Sequence, residues 1–165
     1  MVEASTFRRV LGYYPTGVCA VTAIDSTGQP WGMVVGSFTS VSLDPPLVGF
    51  FPDKKSSSWP EIERSGKFCI NVLASDQMDL CQRLSARGVS KFAGIDFTLS
   101  GNGSPVLPGI LAWIDCALHA VHEAGDHYGV YGRVLELEAC REARPLLFHC
   151  GQYGEFALPD VAASA

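Results

Sequence analysis

The chain has 165 residues, of which 47% are hydrophobic and 18% are charged, and its formal net charge is −5. The high apolar content excludes a disordered chain, and the negative charge disfavours broad nucleic-acid binding. A membrane helix needs an apolar run of roughly 20 residues, and no run in the sequence approaches that length. We therefore predict a soluble cytoplasmic protein. One domain at residues 1–158 with a flexible alanine-rich tail at residues 159–165 accounts for the length, and the apolar excess favours a homo-oligomer.

The first quarter of the chain predicts a short helix followed by a β-hairpin. The helix is capped by Ser5 or Thr6 and ends at Gly12. Alternating apolar residues then predict a strand over residues 18–24, a four-residue turn and one long returning strand over residues 31–42.

A proline pair separates this hairpin from a further strand over residues 47–51. The pattern Ser-Trp-Pro-Glu that begins at Ser58 has the form of a capping box, and it predicts a helix of about two turns that ends at Gly66. We expect the exposed amides at the start of this helix, with the hydroxyls of Ser56, Ser57 and Ser58 and a nearby lysine, to form an anion site.

The second half of the chain is dominated by predicted strands. Residues 68–73 predict a buried strand, residues 76–86 a helix, residues 88–108 a long loop, and residues 110–121 and 128–137 two strands joined by a turn. Four residues of the helix are assigned to the core by their spacing: Met78, Leu80, Cys81 and Leu84. Many strands with few helices predict a mainly β fold, an antiparallel barrel with short flanking helices.

Six cysteines show no C-x-x-C spacing: Cys19, Cys69, Cys81, Cys116, Cys140 and Cys150. A disulfide framework would need a secreted context and a zinc site would need closer spacing, so we predict reduced, buried thiols and no metal. His119 and His122 would point to opposite faces of a strand, which disfavours a shared metal ion.

The residues most indicative of a ligand lie between Gly36 and Gly49. Hydroxyls at positions 37, 39, 40 and 42 alternate with apolar side chains, so hydrogen-bonding groups stand beside an apolar wall, as a flat aromatic ring with a polar rim requires. The alternative is that Ser and Thr line the exposed face of a strand. Five cations in the middle third of the chain can hold an anionic ligand or remain solvated: Lys54, Lys55, Arg83, Arg87 and Lys91.

Six segments, in this order along the chain, carry a resemblance to a known family: residues 7–18, 36–46, 56–73, 91–94, 125–127 and 145–153. The ordered set resembles the short-chain flavin reductases, the reductase components of two-component flavin-dependent monooxygenases. The resemblance implies a split β-barrel of the FMN-binding type that forms a homodimer with flavin near the subunit interface. It also implies FMN or FAD and NADH or NADPH as cofactors, and a separate monooxygenase as partner.

The same resemblance implies a set of cofactor-binding residues. It assigns five residues to the isoalloxazine ring: Met33, Val34, Gly36, Ser37 and Phe38. It assigns Ser57, Ser58, Trp59 and a lysine to the ribityl phosphate, and His127, His149 and Tyr153 to the nicotinamide side. The remaining candidates are Ser40, Phe51, Lys55, Asn71, Lys91 and Phe92.

No catalytic side chain is assigned, because hydride passes between the two cofactors and the protein positions them; His127 is the suspected positioning residue. Relatives often carry arginine where this chain has Cys150, which puts a charged contact to the dinucleotide in doubt. Two alternatives stay open from the residues: a non-catalytic flavin carrier or sensor, and an FMN enzyme of the pyridoxamine-phosphate oxidase type.

Overall fold

The computed structural model describes residues 1–88 and 90–156. The expected flexible tail at residues 159–165 therefore lies outside the described residues, as do the last two residues of the expected domain. Within the described ranges, none of the helices has the length and apolar character needed to cross a bilayer.

Three α-helices lie within the described residues: α1 (Ala4–Leu11), α2 (Trp59–Ser65) and α3 (Met78–Ser85). The first strands are β1 (Thr16–Gly17), β2 (Cys19–Ile24), β3 (Pro30–Val35), β4 (Thr39–Leu43), β5 (Pro46–Phe50) and β6 (Lys67–Val72). They are followed by β7 (Thr98–Leu99), β8 (Pro105–Val106), β9 (Ala112–Ala124), β10 (His127–Ala139), β11 (Leu146–His149) and β12 (Gln152–Glu155). Single turns of 3₁₀ helix span Ser75–Gln77 and Ser90–Phe92.

Seven strands form one antiparallel sheet in the order β3-β2-β6-β9-β10-β5-β4. This arrangement confirms the prediction of a mainly β, antiparallel fold with few short helices. The sheet does not close on itself within the described residues, because β3 and β4 stand at its two edges. A second sheet, β1-β11-β12, and the short ribbon β7-β8 complete the strands.

Strand β2 lies between two apolar clusters, and its alternating side chains enter both of them. Val21 belongs to the first cluster, in which Phe50 packs edge-on against Trp59 at 5.8 Å and Phe68 at 5.4 Å between ring centroids. Ala20 belongs to the second cluster, beneath α3. A single strand thus joins the two clusters, and the core is continuous across the sheet.

The predicted long strand over residues 31–42 is wrong. The chain leaves β3 after Val35 and starts β4 at Thr39, on the opposite edge of the sheet, where β4 pairs with β5. The link is held by Ser37, whose Oγ accepts the amide proton of Phe51 at 2.9 Å. Hydroxyls that continue a strand pattern in sequence therefore form a crossing connection instead.

The predicted helix caps are also wrong, although the helices are present. Helix α1 begins at Ala4 after Glu3, so Ser5 and Thr6 lie inside it. Ser58 stands at the N-cap of α2 without a side-chain capping bond; the Oγ of Ser56 accepts the amide protons of residues 58 and 59 instead, at 3.3 and 3.2 Å. Gly66 ends α2 in the left-handed conformation, with φ of 69°, as expected.

Burial confirms most of the predicted core positions of α3. Cys81 and Leu84 are fully buried and Leu80 packs against the second cluster, but Met78 is 38% exposed because it lies at the first turn, after the 3₁₀ segment. All six cysteines are free, as predicted. Burial of all six is wrong, since Cys140 and Cys150 are exposed.

Candidate functional site

The main cavity lies beside the end of β3, where the sheet edge meets the chain that leaves β5. Its volume is ≈ 560 Å³, within the range of about 300–1,000 Å³ that is usual for small-molecule sites. Nine of the candidate residues line it: Met33, Val34, Gly36, Ser37, Phe51, Lys55, Ser57, Lys91 and His127. Segments far apart in sequence therefore converge on one cavity, and we call it the main cavity.

Two small residues after β3 shape one wall of the main cavity. A Cβ at Gly36 would lie 2.8 Å from Oγ1 of Thr16, so a larger residue there would force the chain or Thr16 to move. Ser37 Oγ also lies 3.5 Å from the carbonyl oxygen of Phe51, besides accepting its amide proton. The wall is thus fixed by hydrogen bonds to the chain that leaves β5.

An adjoining part of the wall combines the segment over residues 51–57 with the turn before β10. Asp53 forms an isolated antiparallel bridge with His127, and the Lys54 amide donates to the carbonyl oxygen of Asp126 at 3.0 Å. These main-chain contacts hold the segment and the turn together, so His127 is positioned against the cavity by backbone geometry.

His127 is half-buried at the cavity edge, and its Nδ1 lies 2.7 Å from Oδ1 of Asp126. The hydrogen bond from this imidazole, with its charge interaction, lowers the pKa of the Asp126 carboxyl below its usual value. The carboxylate therefore fixes the ring orientation, because it occupies one of the two ring nitrogens. The other nitrogen, Nε2, can form a hydrogen bond with a ligand.

Lys91 stands in the cavity wall with its ammonium group shared among three acceptors of the protein. It donates to the carbonyl oxygens of Gly32 at 3.1 Å and Leu84 at 3.0 Å, and to Oγ of Ser58 at 3.1 Å. Burial lowers its pKa below the usual value for lysine. Since an ammonium has three hydrogens, Lys91 acts here as a clamp between β3, α2 and α3.

Lys55 and Arg87 are the exposed cations of the main cavity. Lys55 lies on the segment after β5 and Arg87 just beyond α3. Together with the hydroxyl of Ser57 they bring two positive charges and a donor to the lining of the cavity, which suits a phosphate.

Several candidate residues lie outside the lining of the main cavity. Four of them are buried in the protein: Ser58, Trp59, Asn71 and Phe92. The Asn71 amide donates to Thr22 Oγ1 at 3.0 Å and its oxygen accepts the Leu107 amide proton at 2.8 Å, so it joins β6 to its neighbours. Phe38 packs half-buried against the first cluster, and Ser40 is exposed on β4.

His149 and Tyr153 lie on β11 and β12, where they line a shallow cavity of ≈ 360 Å³. Tyr153 also lines a smaller cavity of ≈ 210 Å³ that shares Val34 and Gly36 with the main cavity. Cys150 lies in the turn between β11 and β12, where it takes a positive φ of 49°. Its amide donates to the carbonyl oxygen of Gly12 at 2.9 Å.

Sequence reasoning missed part of the lining of the main cavity. Asp53, Ser85 and Ala86 border it without having been singled out. Ser56 and Arg87, which the sequence indicated for an anionic ligand, also line it. No local pattern marks Ser85, because it reaches the cavity only through the packing of α3 on β3.

The family described as "Flavin reductase like domain" matches residues 11–157 of the chain. A curated flavin reductase from Pseudomonas putida is 58% identical over 156 residues, which cover 94% of this chain and 92% of the relative. The reductase subunit HsaB of a flavin-dependent monooxygenase from Rhodococcus jostii is 53% identical over 152 residues, 92% of this chain and 77% of the relative.

One solved structure of similar fold is the NADH:FAD oxidoreductase SgcE6 of Streptomyces globisporus, in complex with NAD and FAD fragments. It superposes with a TM-score of 0.88 at 33% sequence identity, and the match covers 98% of each chain. The two relatives and the solved structure therefore each match this chain over nearly its whole length.

Proposed function

This chain belongs to the flavin reductase like domain family, and on that premise we propose that its main cavity holds the flavin which the enzyme reduces. The chain is a flavin:NAD(P)H oxidoreductase, the reductase component of a two-component flavin-dependent monooxygenase system. The observation that carries the placement is the single cavity in which an apolar wall, a hydroxyl-bearing wall and two cations meet.

The lining of the main cavity fits a flavin. Met33, Val34 and Phe51 supply apolar surface for a flat ring, and Ser37 supplies a hydroxyl at its edge. Lys55 and Arg87 stand where a phosphate would be neutralised. When bound, the flavin accepts at N5 the hydride that nicotinamide releases from C4, with one proton taken from solvent.

The protein's own part in this reaction is to position the two rings and keep water out. Hydride transfer needs the rings in contact, at roughly 3–3.5 Å, and the fixed walls of the cavity hold one of them. We propose that Nε2 of His127 orients the nicotinamide, since Asp126 already occupies Nδ1. The variant His127→Gln keeps a hydrogen-bond donor but loses the ring that Asp126 orients. It should therefore raise the KM for NADH more than it changes flavin affinity.

We propose that the protein works as a homodimer. Large apolar side chains are exposed on α1, on the edge strand β4 and on β10, among them Phe7 at 56%, Leu43 at 96% and Leu137 at 63%. A monomer rarely leaves so many large apolar groups in water. Sedimentation equilibrium at several concentrations tests the proposal, and a monomer that still binds flavin would contradict it.

We further propose that residues 1–158 act as one domain and that the protein works in the cytoplasm. The continuous core around β2 supports the single domain. Six free cysteines support a reducing compartment.

The direct test is nicotinamide oxidation by the purified protein, followed by absorbance, with NADH and NADPH each combined with FMN, FAD or no flavin. We expect turnover that depends on added flavin. Flavin binding without nicotinamide oxidation would indicate a carrier or sensor, and an absence of flavin binding would contradict the placement.

Two variants test the phosphate end of the site. Lys55→Gln and Arg87→Gln should each raise the Kd for FMN by about ten-fold while leaving that for riboflavin, which lacks the phosphate, nearly unchanged. Arg64→Gln is the matched control, because Arg64 is exposed in a separate cavity and pairs with Glu61. Equal loss of affinity for FMN and riboflavin would contradict a phosphate contact.

A further inference from the structure

A second cavity of ≈ 410 Å³ adjoins the main cavity. The two share Lys55, Ser57 and Arg87, and the second one extends from these residues to Trp31 on β3. We propose that this second cavity binds the adenosine monophosphate half of FAD, so that the enzyme holds FAD more tightly than FMN. The inference rests on the proposed function, since it requires the flavin to lie in the main cavity.

The turn before β3 fixes the orientation of the Trp31 indole, on which a flat ligand can stack. Its indole Nε1 donates to Oδ2 of Asp25 at 2.9 Å. The other carboxylate oxygen, Oδ1, accepts the amide protons of Thr27 at 2.8 Å and Gln29 at 3.0 Å. The carboxylate is therefore held by the backbone, and it holds the indole in one orientation. A fixed indole loses little conformational entropy when a base stacks on it.

The shared residues stand where the two halves of FAD would join. FMN ends in one phosphate, whereas FAD continues through a pyrophosphate to adenosine. Lys55 and Arg87 border both cavities, so a pyrophosphate at their junction would lie beside two cations. Lys91 is unsuited to this task, because its three hydrogens already serve Gly32, Leu84 and Ser58.

NADH carries the same adenosine diphosphate chemistry, but the layout of the lining favours FAD. His127, the proposed nicotinamide contact, lines the main cavity, whereas the second cavity begins at the cations assigned to the flavin phosphate. The second cavity thus continues from the phosphate end of the flavin. FMN would leave Trp31 without a ligand.

The test compares FAD and FMN affinity by titration of the purified protein, for wild type, Trp31→Leu and Trp31→Phe. Wild type should bind FAD about ten-fold more tightly than FMN, because only FAD reaches the indole. Trp31→Leu should bring the two dissociation constants together, and Trp31→Phe, which keeps a ring, should retain most of the difference. Arg64→Gln, in a separate cavity, should keep the wild-type ratio.

A measurement on the wild type keeps the test decisive if Trp31→Leu does not fold. Adenosine, which has no phosphate to occupy Lys55 and Arg87, should compete with FAD and leave the Kd for FMN unchanged. Equal affinities for FAD and FMN in wild type would overturn the inference while leaving the proposed function standing. An effect of adenosine on the KM for NADH, with FMN as the flavin and without competition against FAD, would also overturn it. A protein that binds neither flavin would contradict the proposed function itself.

Discussion

The ammonium nitrogen of Lys91 donates to the hydroxyl oxygen of Ser58 at 3.1 Å, across 33 residues of chain. This bond turns the N-cap hydroxyl of α2 away from its own helix and toward the loop after α3. The same nitrogen reaches the carbonyl oxygens of Gly32 and Leu84. One partly buried lysine therefore ties together three segments that border the main cavity.

Replacement of this lysine should destabilise the protein. Lys91→Met removes three charge-assisted hydrogen bonds and leaves Ser58 and two carbonyls without that partner. We expect the free energy of unfolding to fall by about 1.5–3 kcal/mol, measured by urea denaturation. The exposed Lys55 is the matched control, and Lys55→Met should change stability by less than about 0.5 kcal/mol. Equal effects of the two variants would contradict the clamp.

Gly132 on β10 lies against the core, and a side chain there would collide with it. A Cβ at this position would be 2.6 Å from Cζ of Phe68 and 3.0 Å from Cβ of Cys116. We expect Gly132→Ala to lower the free energy of unfolding by about 1–3 kcal/mol, again by urea denaturation. Gly154→Ala on β12 is the control, since its Cβ would meet nothing within 4 Å. A neutral Gly132→Ala would show that Phe68 can move aside.

Asp25 should make stability depend on pH. Its hydrogen bond from Trp31, followed by that from Thr27, lowers the pKa of the carboxyl far below its usual value. A lowered folded-state pKa contributes stability above the unfolded value of about 3.9, and that stability is lost as the pH falls through the folded pKa. Asp25→Asn mimics the neutral form.

We therefore expect wild type to be more stable than Asp25→Asn at about pH 7, and the difference to shrink below about pH 4. Urea denaturation at neutral and acidic pH measures it. Asp96→Asn, at an exposed loop position, serves as the control. A difference between wild type and Asp25→Asn that stays the same at both pH values would show that the charge of Asp25 does not contribute.

Thiol reactivity should divide the cysteines into two groups. Burial raises the pKa of Cys19 and of Cys116 to about 12, and Cys69 and Cys81 are equally buried. Only the thiolate reacts, so an aromatic disulfide reagent should modify two thiols quickly in the native protein and six after unfolding. Removal of Cys150 by Cys150→Ser should lower the fast count by one. More than two fast thiols would contradict the burial of the four.

Local patterns in the sequence were sufficient for most of the secondary structure. The alternation over residues 18–24 predicted β2, and the apolar run over residues 68–73 predicted β6, because a strand exposes its two faces in turn. Gly66 marked the end of α2 because a left-handed residue there favours glycine. Each of these signals acts within a few residues.

The misplaced features share a different cause. The strand break after Val35 follows from Ser37 bonding to Phe51, and the unused cap of α2 follows from Lys91 taking the hydroxyl of Ser58. Both partners lie more than ten residues away in sequence. A hydroxyl can bond to a neighbour or to a distant group, and residue type alone does not choose between them.

The sequence by itself determined the family, the mainly β antiparallel fold and the flavin reductase activity, since ordered motifs and strand periodicity are both written along the chain. Only the tertiary structure decided which residues share a cavity. It brought Arg87 and Lys55 to the same rim and placed Trp31 beyond them, while it buried Trp59 and Asn71 in the core. The physical reason is that a binding site depends on packing between segments far apart in the sequence, here α3 against β3. No local pattern encodes which distant segments come into contact.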